Sequence, residues 1–233
     1  MGRRRTPAGR HEPAEGPTVT TAATPMLLSH TRQDLTALAM ALLWALGAWE
    51  SHAYGIWGAL GVSAVLLSAT VLALEGHAVI GNGQHARLWP IGIGAGLVMV
   101  SGTTVLFRPV MTAFPTLFGD VSRLYAAFGD RGSVATLVLL PVIVIGEEIV
   151  WRGAVQGALA RRMRWLPAAV VGALVYALAH TPVGSPALVL TCLGAGFCWS
   201  ALRGITDSLP ATVLAHLVWD FAVLVVHQLA PTA

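Results

Sequence analysis

Apolar runs, each close to the length of a membrane span, follow one another along most of the chain. A transmembrane helix needs about 20 predominantly apolar residues. Seven runs reach or approach this length, at residues 35–49, 54–74, 88–107, 133–158, 166–180, 185–202 and 207–228. In the third run, Gly92 and Gly96 are spaced for close contact with a neighbouring helix. The pattern predicts an all-α fold, a polytopic membrane helix bundle of about seven transmembrane helices.

The polar segments outside these runs divide the chain into three parts. Residues 1–33 are rich in Pro, Thr, Gly and Arg and lack apolar periodicity, which predicts a disordered cytoplasmic tail. Residues 34–132 hold the first three spans and end in a stretch, 109–132, whose apolar spacing predicts an interfacial helix. Residues 133–228 hold the last four spans and form the third part, a helical core.

The composition is that of a membrane protein and lacks the charge pattern of a protein that binds nucleic acid. Of the 233 residues, 55% are hydrophobic and 11% are charged, and the mean hydropathy is +0.70. A soluble domain carries about 25% charged residues, so the chain is predicted to be an integral membrane protein surrounded by the lipid bilayer. Its 14 basic residues are all Arg and form no stripe suited to nucleic acid, so no nucleic-acid partner is expected.

The arginines also predict the orientation of the chain. With seven spans and a cytoplasmic N-terminus, ten arginines lie on the cytoplasmic side and three lie outside. The cytoplasmic ones are Arg3, Arg4, Arg5, Arg10, Arg32, Arg87, Arg161, Arg162, Arg164 and Arg203, and the outer ones are Arg108, Arg123 and Arg131. Because cytoplasmic loops carry the excess of positive charge, the pattern predicts a multi-pass protein of the cell membrane with its N-terminus in the cytoplasm.

Three charged residues interrupt the fourth apolar run, "VIVIGEEIVWRGAV". Each of Glu147, Glu148 and Arg152 costs about 2.5–3.5 kcal/mol at a bilayer centre unless it is paired. Glu148 and Arg152 lie four residues apart with the acid first, the favourable order for an ion pair on a helix. Glu147 points about 100° away from Glu148 and has no partner on its own helix. Glu147 is therefore the candidate general base.

The later runs carry three more ionisable groups. His180 lies one turn after Tyr176, and His216 lies one turn before Asp220, so that the imidazole and the carboxylate of the last pair can hydrogen-bond. Ionisable groups inside membrane helices are functional candidates by default. We therefore expect these groups to join the Glu-Glu-Arg cluster in one site in a membrane cavity.

The chain lacks the sequence motifs of several other catalytic chemistries. It contains no His-Glu-x-x-His zinc motif, no Gly-x-Ser-Gly stretch and no Gly-x-Gly-Asp stretch. Serine and aspartyl intramembrane proteolysis are therefore disfavoured. Cys192 and Cys198 lie six residues apart, on different faces of a helix, which favours packing over a shared metal.

The ionisable residues occur in an order that resembles a known family. Glu-Glu-x-x-x-Arg at 147–152, an aromatic residue and histidine at 176 and 180, and His-x-x-x-Asp at 216–220 resemble the CPBP family, the CAAX prenyl proteases and bacteriocin-processing proteins, also called Abi. The resemblance covers about residues 133–225 and implies that the part 133–228 is the catalytic helical core. It implies an intramembrane endopeptidase that hydrolyses peptide bonds of a membrane-associated protein or peptide.

The resemblance also implies roles for the candidate residues. Glu147 and His180 would activate the attacking water, His216 and Asp220 would stabilise the oxyanion, and Glu148 with Arg152 would support the site. The second motif commonly begins with Phe and the third often ends in Asn. Here they hold Tyr176 and Asp220, and an ionised Asp cannot donate to an oxyanion. Asp220 must therefore be protonated or act by orienting His216.

Several alternatives stay open at this stage. His180, His216 and Glu147 could hold a catalytic zinc ion, although the lack of a short-spaced ligand pair favours a site without an obligatory metal. A non-catalytic membrane binding or immunity protein of the same family is the alternative function, and a proton-linked transporter ranks third. The peptidase hypothesis places the cavity within reach of the cytoplasm.

The depths of the candidate residues present a geometric difficulty. If the spans are straight and alternate in direction, Glu147 lies nearer the inner face of the membrane and His180 nearer the outer face. A fourth helix that continues toward Arg162 would bring both residues to one depth.

Overall fold

The computed structural model describes residues 23–81, 85–129 and 133–229, and every regular element in these ranges is a helix. The only extended pairing found there is an isolated bridge between Gly81 and Ser208. The all-α prediction is confirmed. The first helix begins at Ala23, inside the segment 1–33 for which a disordered tail was predicted. The remainder of that tail lies outside the described residues.

Helix α1, Ala23–Glu75, is a hairpin of two antiparallel arms. The chain reverses at Gly55, whose φ of 73° lies in the left-handed region that favours glycine. The arms pack so closely that a Cβ at Gly47 would collide with the side chain of Ser63. The two arms correspond to the predicted spans 35–49 and 54–74.

Helices α2, His85–Ala113, and α3, Pro115–Phe128, follow a short 3₁₀ segment, Gly76–Ile80. A Cβ at Gly92 or Gly96 would collide with the backbone of the last long helix, so the close contact predicted for these glycines is confirmed. Helix α2 extends beyond the predicted end at residue 107. Helix α3 lies in the stretch for which an interfacial helix was predicted.

The fourth span is a composite of three helical segments. Helix α4, Val134–Glu148, passes directly into a π-helical segment, Ile149–Val155, and then into α5, Gln156–Ala160. Helix α6, Trp165–His180, returns in the opposite direction and ends in a 3₁₀ turn, Thr181–Val183. The fourth helix therefore continues almost to Arg162.

Two long helices complete the bundle. Helix α7 covers Pro186–Thr206, and helix α8, Leu209–Asp220, continues into a second π segment, Phe221–Val226. Serine side chains accept hydrogen bonds from backbone N–H groups at the starts of α4, α7 and α8, which satisfies donors that a helix leaves unpaired. Asp120 of α3 also accepts from Ala187 N at 2.7 Å, fixing α3 to the start of α7.

The surface of the bundle is apolar, as a lipid environment requires. In the described part of the chain, five helices are long and apolar enough to cross a membrane, and the first of them is the α1 hairpin. Large apolar side chains are exposed along them, for example Leu42, Val98, Val105 and Leu178. With both arms of α1 and the composite fourth helix, these helices form the predicted membrane bundle of about seven spans.

The bundle has two ends that differ in their polar residues. At one end, which we call the hairpin end, the α1 reversal meets the α6–α7 turn, where His52 Nε2 lies 2.8 Å from Pro182 O. At the other, which we call the arginine end, Arg203 Nη2 donates to Val79 O at 3.3 Å and the α5–α6 connection carries three more arginines.

Candidate active site

The six predicted site residues come together inside the bundle. From Glu147 to Ala160 the fourth helix descends about 20 Å, and from Trp165 to His180 helix α6 rises about 22 Å, at about 1.5 Å per residue. Glu147 and His180 therefore reach the same depth. The continuation of the fourth helix through the π segment resolves the difficulty that simple alternation presented.

Glu147 lies at the centre of the cluster. Its side chain is almost completely buried, and Tyr176 OH donates to Oε2 at 2.9 Å. Its other oxygen, Oε1, lies 3.4 Å from His180 Nε2, while Oε2 lies 3.7 Å from His216 Nε2. No guanidinium pairs with this carboxylate among the described residues, so Glu147 faces two imidazoles and a phenol.

Glu148 and Arg152 form the predicted ion pair. Arg152 Nη1 lies 3.1 Å from Glu148 Oε1, and both side chains are fully buried. Arg152 Nη2 also donates to Gly196 O at 3.1 Å. The guanidinium carbon lies 4.6 Å from the ring centre of Tyr176 and 5.2 Å from that of Trp199, within the range of cation–π attraction. The pair is therefore part of the packing between α6 and α7.

His216 is surrounded by carboxylates. Its Nδ1 atom lies 2.9 Å from Glu148 Oε1, and because a carboxylate in an ion pair only accepts, Nδ1 carries the donated hydrogen. Its Nε2 atom lies 3.4 Å from Asp220 Oδ2, as the predicted pairing of these two residues requires. The ring stacks on Trp199 with centroids 3.5 Å apart. Glu148 and Trp199 together fix the position of the imidazole.

The contacts of His180 determine its tautomer. Nδ1 lies 2.8 Å from the carbonyl oxygen of Tyr176, which can only accept, so Nδ1 is protonated. Nε2 accepts from the indole N–H of Trp44 at 3.1 Å. A neutral imidazole has one acceptor nitrogen, so the lone pair of Nε2 is already engaged. His180 is thus held between α1 and its own helix.

The cluster forms the floor of a cavity of about 380 Å³. Glu147, His180, His216 and Asp220 line its floor, and its walls are almost entirely apolar. The wall residues include Trp57, Leu106, Phe107, Leu124, Phe128 and Leu224. The predicted membrane cavity is present, and helix α3 provides one of its walls.

The cavity lies toward the hairpin end of the bundle. Its walls come from the first turns after Gly55, the last turns of α2, the length of α3 and the first turn of α7. The orientation predicted from the arginines puts this end outside. The predicted orientation and the predicted access from the cytoplasm therefore exclude each other.

The donor groups of the cluster do not have the arrangement that a metal ion requires. In the described part of the chain, no group of three or more His, Cys, Asp or Glu residues has the arrangement of a metal site. A metal at His180 would bind the Nε2 lone pair, but the indole N–H of Trp44 occupies that direction. The residues do not fit a zinc ion held by His180, His216 and Glu147.

Three residues that hold the cluster could not be predicted from the sequence. Trp44 bonds His180 across a separation of 136 residues, and no local pattern marks such a contact. Trp199 stacks on His216, and Gly196 accepts from Arg152 and leaves room for Tyr176. A tryptophan or a glycine in an apolar run carries no mark of such a role.

The comparisons with known proteins agree with the motifs. The family model described as type II CAAX prenyl endopeptidase, Rce1-like, matches residues 131–222. This segment holds all six candidate residues. No curated protein and no solved structure matches the chain. Over residues 131–222 the chain is thus similar to the CAAX prenyl endopeptidases, which confirms the resemblance to the CPBP family.

Proposed function

We propose that the protein is an intramembrane endopeptidase that hydrolyses peptide bonds of a membrane-associated protein or peptide. The observation that carries the proposal is Glu147, a buried carboxylate without a cationic side-chain partner on its own helix, which faces two imidazoles on the floor of an apolar cavity. A carboxylate in such surroundings is suited to take a proton from water.

In the proposed reaction, Glu147 is the general base and then the general acid. It takes one proton from a water molecule as the water oxygen bonds to the peptide carbonyl carbon, whose π electrons move onto the carbonyl oxygen. The same proton then passes from Glu147 to the amide nitrogen as the carbon–nitrogen bond breaks. The products are a carboxyl group and an amine, and no further reactant is consumed.

His216 is the proposed donor to the oxyanion. Three carboxylates, those of Glu147, Glu148 and Asp220, lie within 3.7 Å of His216, and of these three only Glu148 is paired with a guanidinium among the described residues, so a protonated His216 reduces the excess of negative charge. The imidazolium donates through Nδ1 to Glu148, and its Nε2–H, which lies 3.4 Å from Asp220 Oδ2, borders the cavity. Preorganised donors of this kind stabilise the developing oxyanion. Asp220 acts in this scheme as a positioning residue for His216.

His180 is the proposed neighbour of Glu147 at the water site. Its Nε2 atom lies 3.4 Å from Glu147 Oε1 but already accepts from Trp44. We therefore assign the proton transfer to Glu147 and assign to His180 one wall of the water site.

The lining and the position of the cavity indicate which substrate it accepts and from which side of the membrane the substrate enters. Apolar walls favour a hydrophobic segment or a lipid-bearing peptide over a charged one. With the cell-membrane orientation predicted from arginine, the N-terminus is cytoplasmic and the cavity lies in the outer half of the bilayer. We therefore propose that the substrate reaches Glu147 from the extracytoplasmic side.

The proposal is tested by identifying the N-termini of membrane proteins, because each cleavage creates a new N-terminus. Cells expressing the wild type are compared with cells expressing Glu147→Gln, which keeps the shape of the side chain and removes the base. Glu50→Gln, the same change outside the site, is the control. We expect a set of N-termini that wild type and Glu50→Gln produce and that Glu147→Gln lacks. Identical N-termini from all three well-expressed proteins would instead support a non-catalytic binding protein.

A further inference from the structure

A second cavity, of about 460 Å³, lies at the arginine end of the bundle, and we call it the arginine-end cavity. It is formed where α1 ends, where α5 turns into α6, and where α7 ends. Its volume lies within the usual range of ligand sites, about 300–1,000 Å³. In contrast to the apolar cavity at the hairpin end, this one is lined by many polar and charged side chains.

One part of the lining offers hydrogen-bond donors. Arg152 is 1% exposed, lines the cavity, and its Nε–H has no hydrogen-bond partner. Arg164, at the rim, has no ion pair in the described ranges and precedes α6 without capping it through its side chain. The first backbone N–H groups of α6, which have no carbonyl partner within the helix, also lie at this rim. This part of the cavity suits an anion.

Another part of the lining offers acceptors. Gln156 is 3% exposed, and its amide group donates to Ser200 O while its own Oε1 accepts nothing. Glu75 Oε1 is also buried without a hydrogen-bond partner. The other charged side chains of the lining are paired, Arg203 with Asp207 at 2.8 Å and Arg161 with Asp34 at 3.6 Å. The cavity therefore pairs unsatisfied donors with unsatisfied acceptors.

From these groups we infer that the arginine-end cavity binds the phosphoethanolamine headgroup of a phospholipid. The phosphate accepts from Arg164 and the α6 N-terminus, and the primary ammonium donates to Glu75 and Gln156. A quaternary choline ammonium has no N–H to donate, and a glycerol headgroup carries no positive charge. The helix ends that form the cavity lie where a membrane-spanning bundle meets the headgroups.

Lipid binding to the purified protein in detergent tests the inference. Native mass spectrometry is used to measure the affinity for phosphatidylethanolamine, phosphatidylcholine and phosphatidylglycerol with identical acyl chains. We expect phosphatidylethanolamine to bind most tightly. We expect Arg164→Gln and Glu75→Gln each to weaken this binding about tenfold, the value of one charge-assisted hydrogen bond at a partly exposed site.

Arg162→Gln is the matched control. Arg162 is two residues from Arg164 and 67% exposed in its side chain, but it pairs with Asp34 and does not line the cavity. Equal binding of the three lipids, or equal loss from Arg162→Gln and Arg164→Gln, would overturn the inference. The headgroup could belong to a lipid or to a free metabolite, and binding of soluble phosphoethanolamine distinguishes the two. If it binds as tightly as the lipid, the site serves a free metabolite and the assignment to a lipid is wrong.

Discussion

The buried pair of Glu148 and Arg152 permits a quantitative test of how the site is built. Glu148 is 0% exposed, and it is both the ion-pair partner of Arg152 and the acceptor for His216. Substituting Glu148 by Ala leaves a guanidinium buried without its counter-charge, which costs about 3–5 kcal/mol. Substituting Glu147 by Ala strands no cation and breaks one short hydrogen bond from Tyr176, which costs about 1–3 kcal/mol.

The free energy of unfolding in detergent, followed by tryptophan fluorescence during a denaturant titration, measures both changes. We expect Glu148→Ala to lose more stability than Glu147→Ala by about 2 kcal/mol. The double variant Glu148→Ala/Arg152→Leu removes both charges, so it regains part of the loss. Equal losses for the two single variants, or no recovery in the double variant, would refute the proposed division between a structural carboxylate and a free base.

Three further predictions concern two contacts in the site and the orientation of the bundle. A Cβ at Gly196 would lie 2.8 Å from the ring of Tyr176, so Gly196→Ala should destabilise the fold by about 1–3 kcal/mol and lower activity. The control is Gly194→Ala, because a Cβ at Gly194 would have no atom within 4 Å, and it should be neutral or stabilising in thermal unfolding. Trp44→Phe removes the donor to His180 and should lower kcat up to about tenfold with little change in KM, whereas Trp49→Phe, exposed and outside the site, should leave both constants unchanged. In a variant with Cys192 and Cys198 replaced by Ala, an impermeant thiol reagent added to whole cells should label Arg123→Cys at the hairpin end and spare Arg162→Cys at the arginine end. The reverse labelling would show that the cavity faces the cytoplasm and that the predicted orientation is wrong.

The sequence contains most of what determines the bundle. Apolar run length predicts the spans because lipid excludes unpaired backbone groups, and the i, i+4 spacing predicts the ion pair of Glu148 with Arg152. The start of α1 at Ala23 was missed because a Pro- and Thr-rich segment shows no apolar periodicity, although its last part is helical. The extension of α2 to Ala113 was missed because Pro109, which ordinarily ends a helix, lies inside it.

The contacts across the bundle could not be predicted in the same way. Trp44 meets His180, and Trp199 stacks on His216, through packing between helices far apart in the chain. The rotation of one helix about its axis decides such contacts, and a single sequence does not specify it. The position of the cavity toward the hairpin end likewise depends on α3, whose attachment through Asp120 to the start of α7 is a tertiary contact.

The two π segments explain how both carboxylate-bearing helices serve one site. The segment Ile149–Val155 begins directly after Glu148, and Phe221–Val226 begins directly after Asp220. In an α-helix, four residues make slightly more than one turn, so that residue i+4 lies about 40° beyond residue i. A π turn is wider and is closed by i→i+5 hydrogen bonds, so four residues make slightly less than one turn. Arg152, inside the first π segment, meets Glu148 and Gly196 together while facing Tyr176 and Trp199. π turns are rare and are found frequently at functional sites. Their occurrence directly after Glu148 and Asp220 therefore supports one built site over two unrelated buried charges.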